Sequence, residues 1–81
     1  MYFVYIIRNA QGKYYIGHTT NIENRLEEHN RGKTKSLRGR GPFKLIHKEA
    51  FNSKAEAVRR EIQIKKYKGG VAFKRLIGLP L

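Results

Sequence analysis

The chain contains no cysteine, no tryptophan and no aspartate, and its six acidic residues are all glutamates: Glu23, Glu27, Glu28, Glu49, Glu56 and Glu61. Without cysteine there are no disulfide staples, no thiolate zinc sites and no cysteine nucleophile. Without aspartate, the acidic member of a Ser-His-Asp triad has no candidate, and a two-metal site lacks the cluster of carboxylates it needs around its ions. Any catalysis must run on one carboxylate at most, with Tyr, His, Lys or Arg beside it. Long apolar runs are also missing. The longest, Phe3 to Ile7, falls far short of the roughly 20 residues that span a bilayer. The N-terminus lacks the basic flank, apolar stretch and cleavage site of a secretion signal, so a soluble cytoplasmic protein is expected.

What the chain has in excess is positive charge. Lys and Arg number 18 against 6 acids, a formal charge of +12, which points to a polyanionic partner and foremost to nucleic acid. Its 81 residues predict a single domain over 1–81, one that buries only about 60% of its unfolded surface. With 40% hydrophobic and 11% aromatic residues it can still build a core, which sets disorder aside.

Tyr2 to Arg8 is β-branched and aromatic, Asn9 to Gly12 supplies turn residues, and Lys13 to His18 again reads as strand, so a β-hairpin is predicted. Both faces of its first strand carry large apolar groups, as in a strand covered on both sides. Thr20 or Asn21 can cap a helix running to about Asn30. Arg31 to Pro42 holds five cations and a single Leu, too little apolar surface to pack, and is expected to be a flexible basic loop. Phe43 to Phe51 reads as a third strand. Ser53 opens a capping box and the longest helix, to about Tyr67, ended by Gly69-Gly70, and Val71 to Ile77 forms a short last helix. The order β-β-α-β-α-α predicts an α+β fold, a small three-stranded antiparallel sheet flanked by helices.

On a wheel of the long helix, Ala55, Ala57, Val58, Ile62 and Ile64 share one half, while Glu56, Arg59, Arg60, Gln63 and Lys66 hold the other. Glu61 falls in the middle of the apolar half. A carboxylate facing a core is costly unless it is paired or binds a cation. An ion pair with Lys65, one turn along the helix, or with Lys54, is the plain explanation. On the earlier helix, Arg25 and His29 lie four apart beside Ile22 and Leu26 and lean toward the body of the protein. Arg can grip a phosphate with its fork, and His can hydrogen-bond or move a proton, although structural roles are the commoner fate of both. Tyr2, Tyr5, Tyr14 and Tyr15 are explained as cross-strand packing. A phenol titrates near 10, so a tyrosine base would need positive charge nearby. Arg31, Lys33, Lys35, Arg38 and Arg40, with hardly any acid interleaved, read as a phosphate-tracking loop.

Taken together, Phe3-Val4-Tyr5, the triplet Tyr15-Ile16-Gly17 ten residues after Tyr5, Arg25 and His29 on the next helix and Glu61 on a later one resemble the GIY-YIG endonuclease superfamily. The likeness covers nearly the whole chain. It is strongest to small stand-alone bacterial proteins similar to the nuclease domain of excinuclease C, through Leu26-Glu27-Glu28-His29-Asn30 and Arg59-Arg60-Glu61. The chain departs from the pattern in two places. Phe3 stands where the first triplet has glycine, with Val4 for its isoleucine, and His18-Thr19-Thr20 follows the second triplet where some members carry a basic residue.

The resemblance implies that Glu61 is the sole protein ligand of one Mg²⁺ or Mn²⁺. It also implies that Tyr5 takes a proton from the attacking water, with Tyr15 positioning that water or exchanging roles with it. Arg25 would neutralise the phosphate, and His29 would support Tyr5 or the water. The implied reaction is hydrolysis of a DNA phosphodiester to a 5′-phosphate and a 3′-hydroxyl, in DNA repair or recombination. So small a domain has little surface for sequence readout, so recognition by structure or damage, or targeting by a partner protein, is expected. The alternative is a basic module that holds DNA or RNA on the same fold without cutting it. Retention of all five reactive positions favours the enzyme.

Overall fold

The computed structural model describes residues 1–32 and 41–78. Strands β1 (Tyr2–Arg8), β2 (Tyr14–Thr19) and β3 (Lys44–Phe51) alternate with helices α1 (Ile22–Asn30), α2 (Lys54–Lys66) and α3 (Val71–Leu76) in the expected order β-β-α-β-α-α. The sheet is antiparallel with strand order β2-β1-β3, so the most apolar strand lies in the centre.

The hairpin turns on Asn9. Its side-chain oxygen accepts from the amides of Gln11 (3.0 Å) and Lys13 (2.8 Å), and Gly12 takes the left-handed conformation, φ +85°, that closes the turn. Of the two possible caps of α1, Asn21 is the one used: its side chain accepts from the Asn24 amide at 3.0 Å. Ser53 caps α2 in the same way through the Glu56 amide.

Central β1 is covered on both faces, as its two-sided apolar pattern predicts. Val4 and Ile6 join Ala57, Ile64 and Phe73 in a core under α2 and α3. Tyr5 and Ile7 point the other way and join Phe43, with Ile22 and Leu26 of α1 and Leu45 of β3 packed against them. Burying a side chain such as Ile6 or Ile64 is worth roughly 1.5–3 kcal/mol, so the two clusters fix the helices on their faces.

The wheel of α2 needs three corrections, the first that Ala55, placed on the apolar half, is exposed. Ile62, placed on the apolar half, is 49% exposed, and Arg60, placed on the polar half, is half-buried. The buried stripe runs through Ala57 and Ile64, turned toward Arg60 because β3 offers Glu49 there. Arg60 Nε and Nη2 donate to the two Glu49 oxygens at 2.8 and 3.0 Å, and His47 donates to the same carboxylate at 2.7 Å.

Candidate active site

Alternation along the hairpin decides which side chains meet. Tyr5 stands opposite Gly17 in the β1–β2 register, and a Cβ on Gly17 would lie 2.5 Å from the Tyr5 phenol oxygen and 2.7 Å from its Cζ. The glycine of the second triplet is therefore a steric requirement of the tyrosine of the first, whose ring crosses the neighbouring strand. Carried this way, the phenol reaches α1, where its oxygen lies 3.0 Å from Nε2 of His29. Tyr5 and His29 are each only 5% exposed. Asn30, next in the chain, clamps the start of β3: its side-chain oxygen accepts from the Phe43 amide at 2.7 Å. Tyr15 packs edge-on against Phe43, ring centres 5.5 Å apart, in the same cluster as Tyr5.

Burial, and then the positive charge of Arg25 one turn away, hold the His29 imidazole below its ordinary titration range, with Glu28 pulling weakly the other way. His29 is therefore neutral at pH 7. Arg25 presents a second anomaly: its Nε is buried with no hydrogen-bond partner among the described residues. An unpaired buried donor costs about 1–3 kcal/mol.

Glu61 sits on the inward stripe of α2, between Ala57 and Ile64, and faces β2. His18 Nδ1 lies 2.5 Å from its Oε1 and Lys65 Nζ 2.7 Å from its Oε2. Burial opposes ionisation of Glu61, but the bonds from Lys65 and His18 outweigh it and bring the carboxyl below its ordinary value. An ionised carboxylate only accepts, so both neighbours donate. The ion pair with Lys65 expected from the helix spacing is present, whereas His18 as its companion was not foreseen. Two signals pointed to His18. It fills the slot after the second triplet where a basic residue is expected, and alternation turns it away from Gly17 toward α2.

The candidate residues thus divide between the faces of the sheet. Tyr5, Tyr15, Arg25 and His29 gather on the α1 face, Glu61 joins His18 on the α2 face, and adjacent Gly17 and His18 of β2 link the two. In the basic loop, Arg31 is exposed and ion-paired with Glu27 one turn back, while Lys33, Lys35, Arg38 and Arg40 lie outside the described residues. No group of three or more His, Cys, Asp or Glu side chains converges among the described residues. The donor set fits one hard divalent cation held by a single carboxylate: Glu61 is ionised, and each of its oxygens keeps a second lone pair.

The fold thus sets a buried Tyr–His pair, an arginine with an unpartnered buried Nε and one inward carboxylate around a small three-stranded sheet. The GIY-YIG catalytic domain matches residues 1–72, and the chain belongs to that family of nuclease domains. Membership implies binding to nucleic acid. The chain is similar to UPF0213 protein VNG_2274C of Halobacterium salinarum, 50% identical over 66 residues that cover 80% of this chain and 86% of the relative. It is similar to UPF0213 protein SH2523 of Staphylococcus haemolyticus, 43% identical over 82% of each chain. The solution NMR structure of UPF0213 protein BH0048 from Bacillus halodurans shares its fold, with a TM-score of 0.52 and 41% identity over 91% of this chain and 86% of that one. No helix among the described residues is long and apolar enough to cross a membrane.

Proposed function

We propose that this protein is a metal-dependent endonuclease that hydrolyses DNA phosphodiester bonds and acts on damaged or branched DNA in repair or recombination. The observation that carries the reading is the buried 3.0 Å contact of Tyr5 with a neutral His29, beside an Arg25 whose buried Nε is unpartnered. A structural tyrosine needs a hydrogen-bond partner, but it does not need an arginine with an unpartnered buried Nε one helical turn from that partner.

In this mechanism His29, protonated on Nδ1, accepts the Tyr5 hydroxyl proton at Nε2, and the phenol oxygen takes a proton from the attacking water. Proton transfer of this kind contributes roughly 10²–10⁴ in rate. The Arg25 guanidinium donates to a phosphate oxygen and strengthens that bond as charge builds on the phosphorus. Tyr15, on the same face, orients the water. Glu61 would hold one Mg²⁺ or Mn²⁺ when Lys65 withdraws, with His18 fixing the carboxylate; the cation supplies charge neutralisation at the leaving oxygen. Since β2 is an edge strand, DNA lying along that edge can reach both faces of the sheet. Arg31, Lys33, Lys35, Arg38 and Arg40 contact flanking phosphates without reading bases.

The test is cleavage of a panel of nicked, branched and single-stranded DNAs, with RNA alongside, in Mg²⁺ or Mn²⁺, by wild type and Glu61→Ala. Cleavage that stops on chelation and in the variant supports the reading. Tight binding without cleavage under every condition would instead support the non-catalytic module.

A further inference from the structure

Beside the Tyr5 site, a groove of about 360 Å³ opens between the first turn of α1 and β3. Its walls combine apolar and polar groups: Phe3, Ile22 and Leu45 on one hand, Thr20, Glu23 and Lys48 on the other. Phe3 lies two residues before Tyr5 on β1 and so shares its face of the sheet, while Lys48 is the register partner of Tyr5 on β3. The groove therefore begins beside the Tyr5 backbone, on the β3 side of β1, whereas the phenol lies over Gly17 on the β2 side. Its aromatic wall is the residue that departs from the family pattern, since Phe3 stands where the first triplet has glycine.

We propose that this groove holds one unpaired nucleobase of the DNA, stacked on Phe3, with the adjoining phosphate on Lys48. The occupant must offer a flat apolar surface to Phe3, Ile22 and Leu45 and an anion to Lys48, and a nucleotide offers both. Glu23 fixes its direction. A carboxylate repels phosphate but accepts from an exocyclic amino group, so the base edge faces Glu23 and the phosphate faces Lys48. The base must be unpaired, because a base within a duplex has both faces covered by its neighbours and cannot lie against a side chain on the sheet. The protein would thereby prefer DNA with an extruded or unpaired nucleotide beside the phosphate presented to Tyr5. The proposal rests on the nucleic-acid reading, not on cleavage.

The experiment uses 2-aminopurine in three DNAs of the same sequence: a full duplex, the duplex with that base bulged, and the single strand. Binding is measured in chelator, so that no strand is cut. Wild type should bind the bulged and single-stranded forms more tightly than the duplex and quench their fluorescence. Phe3→Ala should lose roughly 5–150-fold in affinity for the unpaired forms, the worth of one stacked base, with duplex affinity unchanged. Phe3→Leu, which keeps apolar bulk in the fold, should lose the quenching, and Phe3→Tyr should retain it. Equal affinity of wild type for paired and unpaired DNA, or an equal loss for both in Phe3→Leu, overturns the proposal and leaves the nuclease reading standing. Failure of wild type to bind any of the three also overturns the proposal, and the nuclease reading is then decided by the cleavage panel.

Discussion

Glu49 and Glu61 are built from similar parts and behave differently. Each carboxylate accepts from one histidine and one cation. Glu49 receives the two-pronged guanidinium of Arg60, itself only 22% exposed and bonded also to Gln63 at 2.9 Å and Tyr67 at 3.4 Å. Glu61 is the more buried of the two, yet its cation is Lys65, a single point of contact on a side chain 54% exposed. An arginine fork held on several sides loses much when it lets go, whereas an exposed lysine regains rotamer freedom and hydration. The pair on β3 is made to stay closed. The pair facing β2 is held by a single exposed contact on its lysine side. His29, the third histidine, bonds to a phenol instead of a carboxylate, and burial keeps it neutral.

The sharpest way to break this comparison is to remove each carboxylate's charge in turn. Glu61→Gln fills the same space and should keep the fold while reducing metal-dependent cleavage below detection. Glu49→Gln should leave cleavage intact and cost about 1.5–3 kcal/mol in urea unfolding, the range for a hydrogen bond to a charged group. Cleavage lost in the Glu49 variant and kept in the Glu61 variant would reverse the two roles.

Next in size is the neutral pair. Tyr5→Phe removes only a hydroxyl, so stability should fall by ~1 kcal/mol. Cleavage should slow by roughly 10²–10⁴ with DNA affinity nearly intact. Tyr2→Phe and Tyr14→Phe, outside the two triplets, should do neither. If Tyr5→Phe cuts normally and Tyr15→Phe does not, the tyrosines exchange roles, and if both cut normally the tyrosine mechanism is wrong.

The order of elements, the cap of α2 and the two-sided burial of β1 were legible because each rests on local chemistry: β-branched runs, Ser53 before a helix, apolar residues on both faces of one strand; the cap of α1 stayed open between Thr20 and Asn21. Glu61 was legible as an anomaly because helical spacing alone put a carboxylate on the buried stripe. Its contact with His18 was not, because it joins residues 43 apart and depends on how α2 crosses the sheet. The same holds for Gly17, which reads as a motif letter in the sequence and becomes a seat for the Tyr5 ring only once the register is known. Arg60 was misplaced for a related reason, since a wheel counts apolar groups and cannot see Glu49 waiting on another strand.

A smaller effect tests that lysine contact itself. Lys65→Met removes the ammonium that competes for Glu61, so Mn²⁺ affinity measured by calorimetry should rise severalfold, the gain being modest because solvent screens an exposed lysine. Arg60→Met, the matching change at Glu49, should leave Mn²⁺ affinity unaltered and lower stability. Were Lys65→Met as damaging to cleavage as Glu61→Gln, with metal affinity unchanged, Glu61 would be only half of a structural ion pair.

The smallest expected effect is in acid. The bonds from Arg60, and after them from His47, hold the Glu49 carboxyl below its ordinary value of 4.5 despite partial burial. Between the folded and unfolded values the unfolded chain therefore binds more protons, and stability rises with pH across that window. The contribution is complete above 4.5 and disappears as pH falls through the folded value. In urea unfolding from about pH 6 down to about pH 3, the gap between wild type and Glu49→Gln should be constant at first, narrow below 4.5 and close at the acid end. A gap that stays open in acid would mean that Glu49 acts through packing and not through charge, and the contrast with Glu61 would then rest on Lys65 alone.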